Sequence, residues 1–237
     1  MIYLHENGVT VVAKSSARGG EMYELNDMQY YVAVDQWDLS YLIHQRPHKL
    51  SELKKINFDL NRVVTSKVTT MNGIFSDFSD FNEDISSWDT SKVKSMSEMF
   101  KGCEKFNQPI GNWDTGKLQN ISNMFENAVS FNQPLENWNI DKIANMLFTF
   151  KGAISFNQSL SKWNIGHKNQ RTPRMFSLFE DAKSFNGELK NWNPSGSLLR
   201  LFKGAKSFNQ PLDSWKLKDV DNVKSLFEGA ESFNQDI

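Results

Sequence analysis

Apolar and polar positions along this chain recur on a clock of about 25 residues. The dipeptide Phe-Asn begins at Phe81, Phe106, Phe131, Phe156, Phe185, Phe208 and Phe233, at intervals of 25, 25, 25, 29, 23 and 25. Six of the seven tryptophans keep the same beat: Trp88, Trp113, Trp138, Trp163, Trp192 and Trp215. Within one period the order is fixed. An aliphatic residue stands five places after the Trp (Val93, Leu118, Ile143, Val220), and another apolar residue three further on (Met96, Ile121, Met146, Val223). A hydrophobic-Phe pair follows, as in Met99-Phe100, Met124-Phe125 and Leu178-Phe179, and a small residue three past that Phe: Cys103, Ala128, Ala153, Ala182, Ala205 or Ala230. The Phe-Asn pair comes next, with Ile or Leu four residues past its Phe. The register extends backward: Thr65–Val68 lies 25 before Thr90–Val93, and Ile56-Asn57, Leu60 and Val63 stand at the Phe-Asn, Ile and Trp places. Leu50 and Leu53 fit the preceding Phe and Ala places. Seven full repeats run from Ile56 to Ser232, with a stub from Phe233 to Ile237.

Apolar spacings of three and four between the Trp and the small residue predict a short helical or 3₁₀ segment with one buried face. Thr90 or Ser91 is placed to cap its start, and Gly102 to end it in a left-handed conformation. The stretch from Phe106 to Trp113 reads as a short extended strand. No such repeat can bury its Trp and Phe alone, so neighbours must stack their apolar faces into one continuous core. Two repeats depart from the period. The one at 156–184 carries four extra residues in the His167–Arg174 stretch, with Pro173 inside it, and the one at 185–207 is two shorter around Pro194-Ser195-Gly196. Insertions in repeat arrays fall in loops on one face.

Residues 1–49 lack the repeat. Asn7-Gly8 between Ile2-Tyr3-Leu4 and Val9-Thr10-Val11-Val12 signals a hairpin. A second hairpin is predicted from Met22–Leu25, a turn at Asn26-Asp27, and Tyr30–Val34. Asp35 is placed to cap a short helix whose Leu39, Leu42 and Ile43 share one face. This small α+β unit, residues 1–49, is expected to close one end of the array formed by residues 50–237.

The pattern Met-Phe-x-x-Ala/Cys-x-x-Phe-Asn-Gln-x-Ile/Leu-x-x-Trp, as in Met99 to Trp113 and Met124 to Trp138, resembles the BspA-like leucine-rich repeats, above all the 25-residue version of mycoplasma lipoproteins and other bacterial surface proteins. The resemblance covers about four-fifths of the chain. It implies an α/β fold: a curved, right-handed, leucine-rich-repeat-like solenoid, one short strand and one short helical segment per repeat, behind the α+β cap. It also implies a non-enzymatic, adhesive or host-interacting role. No catalytic residue carries over, because the family pattern contains none.

Charge and composition narrow the function further. The formal net charge is −1, with no basic stripe, which argues against nucleic acid as a partner. No run of 18 apolar residues is present, so no membrane span is expected. Residues 1–20 lack the profile of a secretory signal, and no N-terminal lipid-anchor Cys is seen. The default expectation is therefore cytoplasmic, while the resemblance implies the cell surface. Paired carboxylates, a nucleophile with its base, and a phosphate-binding Gly-rich loop are all missing from the sequence, so no enzyme, metal or cofactor is expected. His44 and His48 are four apart, but Pro47 opposes a helix between them and no third ligand is near. Cys103, the lone cysteine, sits at the small core position.

The column Asn82, Asn107, Asn132, Asn157, Asn186, Asn209 and Asn234 is read as a ladder that bonds backbone groups from coil to coil. His167, Lys168, Arg171 and Arg174 make a local positive patch in the longest repeat and mark the expected site for a protein partner. The repeat at 208–232 keeps the apolar pattern of an interior one. The expectation there is self-association through the C-terminal face, end against end about a two-fold axis, or further repeats that cover it. The rival to a binding module is a structural spacer without a tight partner.

Overall fold

The computed structural model describes residues 2–4, 11–44, 59–166 and 172–236. From Val63 onward the chain is wound in coils, and each coil is bonded to the next along one side. Met96, Glu98, Phe100 and Gly102 donate their N–H groups to the carbonyls of Asn120, Ser122, Met124 and Glu126, at 2.7–2.9 Å. Ile121, Asn123, Phe125 and Asn127 do the same onto Asn145, Leu147, Thr149 and Lys151. Parallel bridges from Thr70 to Ser95, Asn120, Asn145 and Arg174 mark the start of this seam.

The seam is not an extended strand. Each coil holds two residues of positive φ, four apart: Glu98 and Gly102 (60° and 69°), Asn123 and Asn127 (59° and 57°), Phe148 and Gly152 (56° and 67°). Between them run overlapping i→i+3 bonds, Met99 to Met96, Lys101 to Glu98 and Cys103 to Phe100. A turn of type II needs positive φ at its third residue, and both Glu98 and Gly102 occupy that place.

These chained turns stand where a short helical or 3₁₀ segment is expected from the sequence. Among the described residues of the coils there is no α-helix, and Leu60–Arg62 and Leu217–Asp219 are the 3₁₀ turns. Chained turns closed by i→i+3 bonds bring Met96, Met99, Phe100 and Cys103 to one side, the same apolar spacing a helix gives, so periodicity cannot separate the two. Nor do Thr90 and Ser91 cap a helix: the Thr90 hydroxyl donates to the Asp114 carbonyl of the next coil, and Asp89 Oδ1 accepts from the Ser91 N–H. The stretch from Phe106 to Trp113 forms no β-ladder. It turns at Ile110, whose carbonyl accepts the Trp113 N–H, and side-chain amides rather than backbone join it to its neighbours.

Inside the coils fourteen of the eighteen phenylalanines form two columns. Rings within one coil, such as Phe100 and Phe106, lie 3.8–4.1 Å apart between centroids. Equivalent rings in successive coils lie 5.5–6.0 Å apart. The tryptophans of the repeat form a third buried column. Each indole N–H from Trp88 to Trp192 donates to a carbonyl one coil back, those of Leu60, Ile85, Ile110, Leu135 and Leu160. The buried polar handle is thereby satisfied. The indole N–H of Trp215 is buried and finds no partner among the described residues.

The N-terminal residues are joined to this stack. Strands β1 (Ile2–Leu4) and β2 (Val11–Ala13) pair antiparallel, as do β3 (Met22–Leu25) and β4 (Met28–Val32), with Asn26 and Asp27 at positive φ in the turn. β4 also pairs in parallel with β5 (Val63–Val64) of the first coil. Helix α1 (Gln36–His44) starts at Asp35, whose Oδ1 accepts from the N–H groups of Trp37 and Asp38. Leu39 and Ile43 enter the same core as the coils, and Gln36 donates to the Asn72 carbonyl. The Leu42 and His44 side chains, the Asn7-Gly8 turn, His48, Leu50, Leu53 and Ile56-Asn57 lie outside the described residues.

Along the turns the bonds run from the N–H of one coil to the carbonyl of the next, while at the bridges Lys94, Gln119 and Ala144 donate back to Thr69, Lys94 and Gln119. The first coil shows acceptors, over which α1 lies. The coil formed by β6 (Val220–Asn222) and the turns after it shows the N–H groups of Ser225, Phe227 and Gly229, which have no acceptor among the described residues.

Candidate functional site

On the outside of the seam the same places recur in every coil. One column reads Ser76, Lys101, Glu126, Lys151, Glu180, Lys203 and Glu228. Its charges alternate, and Glu126 lies 3.7 Å from Lys101 and 3.5 Å from Lys151. The adjoining column alternates in step as far as Gly204: Asp77, Gly102, Asn127, Gly152, Asp181 and Gly204, after which Gly229 repeats the glycine. A Cβ at Gly102 would lie 2.7 Å from Asp77 Oδ1, and at Gly152 or Gly204 it would collide with the side chain of Asn127 or Asp181. Each Asx side chain leans over a glycine in the coil that follows. From Asp77 to Gly204 the sequence period on this side is thus two coils.

Two further outward columns are polar at first and then change. Asn72, Ser97 and Ser122 give way to Leu147, Phe176 and Leu199, before Lys224. Beside them Gly73, Glu98 and Asn123 give way to Phe148, then Ser177, Arg200 and Ser225. The result is an apolar patch of Leu147, Phe148, Phe176 and Leu199, all half-buried, across three adjacent coils. Phe148 and Phe176 meet edge to face at 5.2 Å between centroids. Lys151 Nζ lies 5.5 Å from the Phe148 ring and Arg174 Cζ 5.9 Å from the Phe176 ring, both within cation–π range. Phe148 holds its bulky side chain at φ 56°, where the neighbouring coils use Asn123 and Ser177. A left-handed Phe costs about 1 kcal/mol or more.

Of the four residues expected to mark a partner site, Arg174 is described: it ends the run of parallel bridges and stands exposed at the rim of this patch. His167, Lys168 and Arg171 lie outside the described residues. The apolar members of the patch escaped sequence reading because they fall out of phase with the core. The signal that could have found them is a column read across coils, where Phe or Leu interrupts Ser and Asn.

On another side, Asn82 Oδ1 accepts from the Asn107 N–H. The same bond recurs through Asn132, Asn157, Asn186, Asn209 and Asn234 at 2.7–2.9 Å. Gln108, Gln133, Gln158, Gln210 and Gln235 add a side-chain donor to the Asn one coil back, at 2.9–3.1 Å. These amides are occupied by the structure itself. Cys103 is enclosed, its thiol donating to the Phe75 carbonyl at 3.0 Å, and burial pushes it up to about 12. The thiolate that would react is thus suppressed. In the folded protein at neutral pH, Cys103 should react with a soluble disulfide reagent at least a hundredfold more slowly than after unfolding in urea. Stopped-flow absorbance in the two conditions measures this.

Among the described residues no group of three or more His, Cys, Asp or Glu side chains is placed to hold a metal ion, and no helix is long and apolar enough to cross a membrane. Comparison with curated proteins and with solved structures gives no match. The family described as Mycoplasma protein of unknown function, DUF285, matches residues 22–132, 47–163 and 167–237. These matches recur along the chain as tandem repeats do and together span most of it, and the chain belongs to that family.

Proposed function

We propose that this chain is a non-enzymatic protein-binding module, a right-handed, leucine-rich-repeat-like solenoid of the BspA-like kind that presents one outer face to a partner. The BspA-like resemblance supports display at a bacterial cell surface and an adhesive role. The observation that carries the reading is the patch of Leu147, Phe148, Phe176 and Leu199, where a strained aromatic and its apolar neighbours replace residues that are polar in the coils before them. A spacer would have no use for that replacement, since Ser122 and Asn123 fill the same places with less strain.

The double variant Phe148→Asn/Phe176→Ser restores the ordinary residues of these columns and should fold as the parent does. A displayed random-peptide library selected on the parent protein should yield clones with Kd below about 10 μM, or roughly −7 kcal/mol. These clones should bind the double variant at least tenfold more weakly. No recoverable binder, or equal binding to both proteins, would leave the spacer reading in place instead.

A further inference from the structure

We infer that this patch takes an extended acidic peptide segment, one whose apolar side chain seats on the Phe148–Phe176 pair while carboxylates on either side meet Arg174 and Arg200. The inference rests on the protein-binding reading above and adds the chemistry of the partner. It comes from how charge is distributed around the apolar residues. In the three coils that carry the patch and the two that flank it, the three outward columns comprise Asn120, Ser122 and Asn123; Asn145, Leu147 and Phe148; Arg174, Phe176 and Ser177; Ser197, Leu199 and Arg200; Asn222, Lys224 and Ser225. They hold three cations and no carboxylate. Arg174 and Arg200 are exposed, and neither forms an ion pair within 4.0 Å among the described residues.

The carboxylates of the adjoining columns are mostly committed. Glu126 is held by Lys101 and Lys151, and Glu228 by Lys203 at 3.1 Å. Glu180 is 7% exposed. Asp181, over Gly204, and Asp221, beside Asn222, stand open. On a protein whose net charge is −1, this is a local cationic rim around an apolar centre. Charge of this kind steers and selects a partner more than it holds it, and the aromatic pair supplies the burial. Successive coils repeat at the 5.6–5.7 Å of the Phe columns here. Arg174 and Arg200 stand one coil apart and three places apart along it, in the two columns that edge the patch, so an extended segment crossing the patch can bring a carboxylate to each.

Fluorescence anisotropy with labelled ten-residue probes tests this on the full chain. One probe has Asp and Glu flanking a central Leu-Phe. A second replaces every acid by its amide, and a third keeps the acids but carries Ala-Ala at the centre. At 50 mM salt the first should bind at least tenfold more tightly than the second and the third. Arg174→Glu/Arg200→Glu should erase the advantage of the first over the second, and Phe148→Asn/Phe176→Ser should weaken both. Equal binding of acid and amide probes overturns the acidic preference while leaving a Phe148-dependent protein-binding face intact. Equal binding of the first and third probes, or of a single-stranded oligonucleotide, shows plain charge attraction and overturns the inference. If no probe binds, the inference fails, and the peptide selection above decides separately whether the face binds protein at all.

Discussion

Replacing Trp138 by alanine is expected to lower stability by about 3–5 kcal/mol, the cost of emptying a large aromatic site that cannot fully collapse. The side chain is 3% exposed, its ring lies 6.4 Å from that of Phe125, and its indole N–H donates to the Ile110 carbonyl at 3.1 Å. Truncation therefore opens a void in the middle of the stack and also strips a buried carbonyl of its donor, worth about 1–3 kcal/mol by itself. Trp138→Phe keeps most of the volume and isolates the second effect. Trp215 supplies the control. It is less enclosed, and its N–H is unpartnered, so Trp215→Phe should be close to neutral. Urea unfolding followed by circular dichroism measures all three. Because each coil touches only its neighbours, a weak link at Trp138 should also broaden the transition or split it in two. A melting curve unchanged by Trp138→Ala would mean that the ring is not core.

Gly152→Ala should cost about 2–3 kcal/mol although it adds a single methyl group. The backbone there has φ 67°, a conformation that charges an L-residue about 1–2 kcal/mol. The new Cβ would also collide with Asn127 Oδ1, and the seam bond from the Gly152 N–H to the Glu180 carbonyl resists any retreat. Gly229 has almost the same φ, 73°, but nothing nearer to a Cβ than 3.6 Å. Gly229→Ala should therefore show only the backbone share, about 1 kcal/mol. Asn127→Gly made together with Gly152→Ala should return the difference, and a double-mutant cycle on unfolding midpoints reads the coupling directly. Equal losses at positions 152 and 229 would contradict the Asx-over-glycine packing.

These cases show where sequence reading reaches and where it stops. Phe-Asn and Trp recur because one ring column and one indole column must each receive a residue per coil, so core demand writes the 25-residue clock openly. The turns behind Met96, Met99 and Phe100 share their apolar spacing with a helix, and only the positive φ at Glu98 and Gly102 separates the two. Gly102 hinted at it; Glu98, a residue with no preference for that conformation, did not. The two-coil alternation of Lys-Gly with Glu-Asn and Glu-Asp is plain in the letters, yet it concerns close approach between side chains of successive coils, which an alignment on apolar positions hides. Phe148 and Phe176 were invisible for a related reason: a Phe beside core phenylalanines looks like core until the direction of its side chain is known. Positive charge pointed to the stretch ending at Arg174, and that residue does border the patch, but the aromatic pair that gives the place its character lies outside the stretch.

The most direct test of the account is a methyl NMR titration of the leucine-labelled protein with a peptide selected on it. Leu147 and Leu199 lie at the patch, whereas Leu118, Leu135 and Leu160 report on the buried interior. The account predicts saturable shifts at Leu147 and Leu199, with the interior leucines unmoved and the shifts abolished in Phe148→Asn/Phe176→Ser. Binding that leaves Leu147 and Leu199 unperturbed, or that survives unchanged in the double variant, would contradict it.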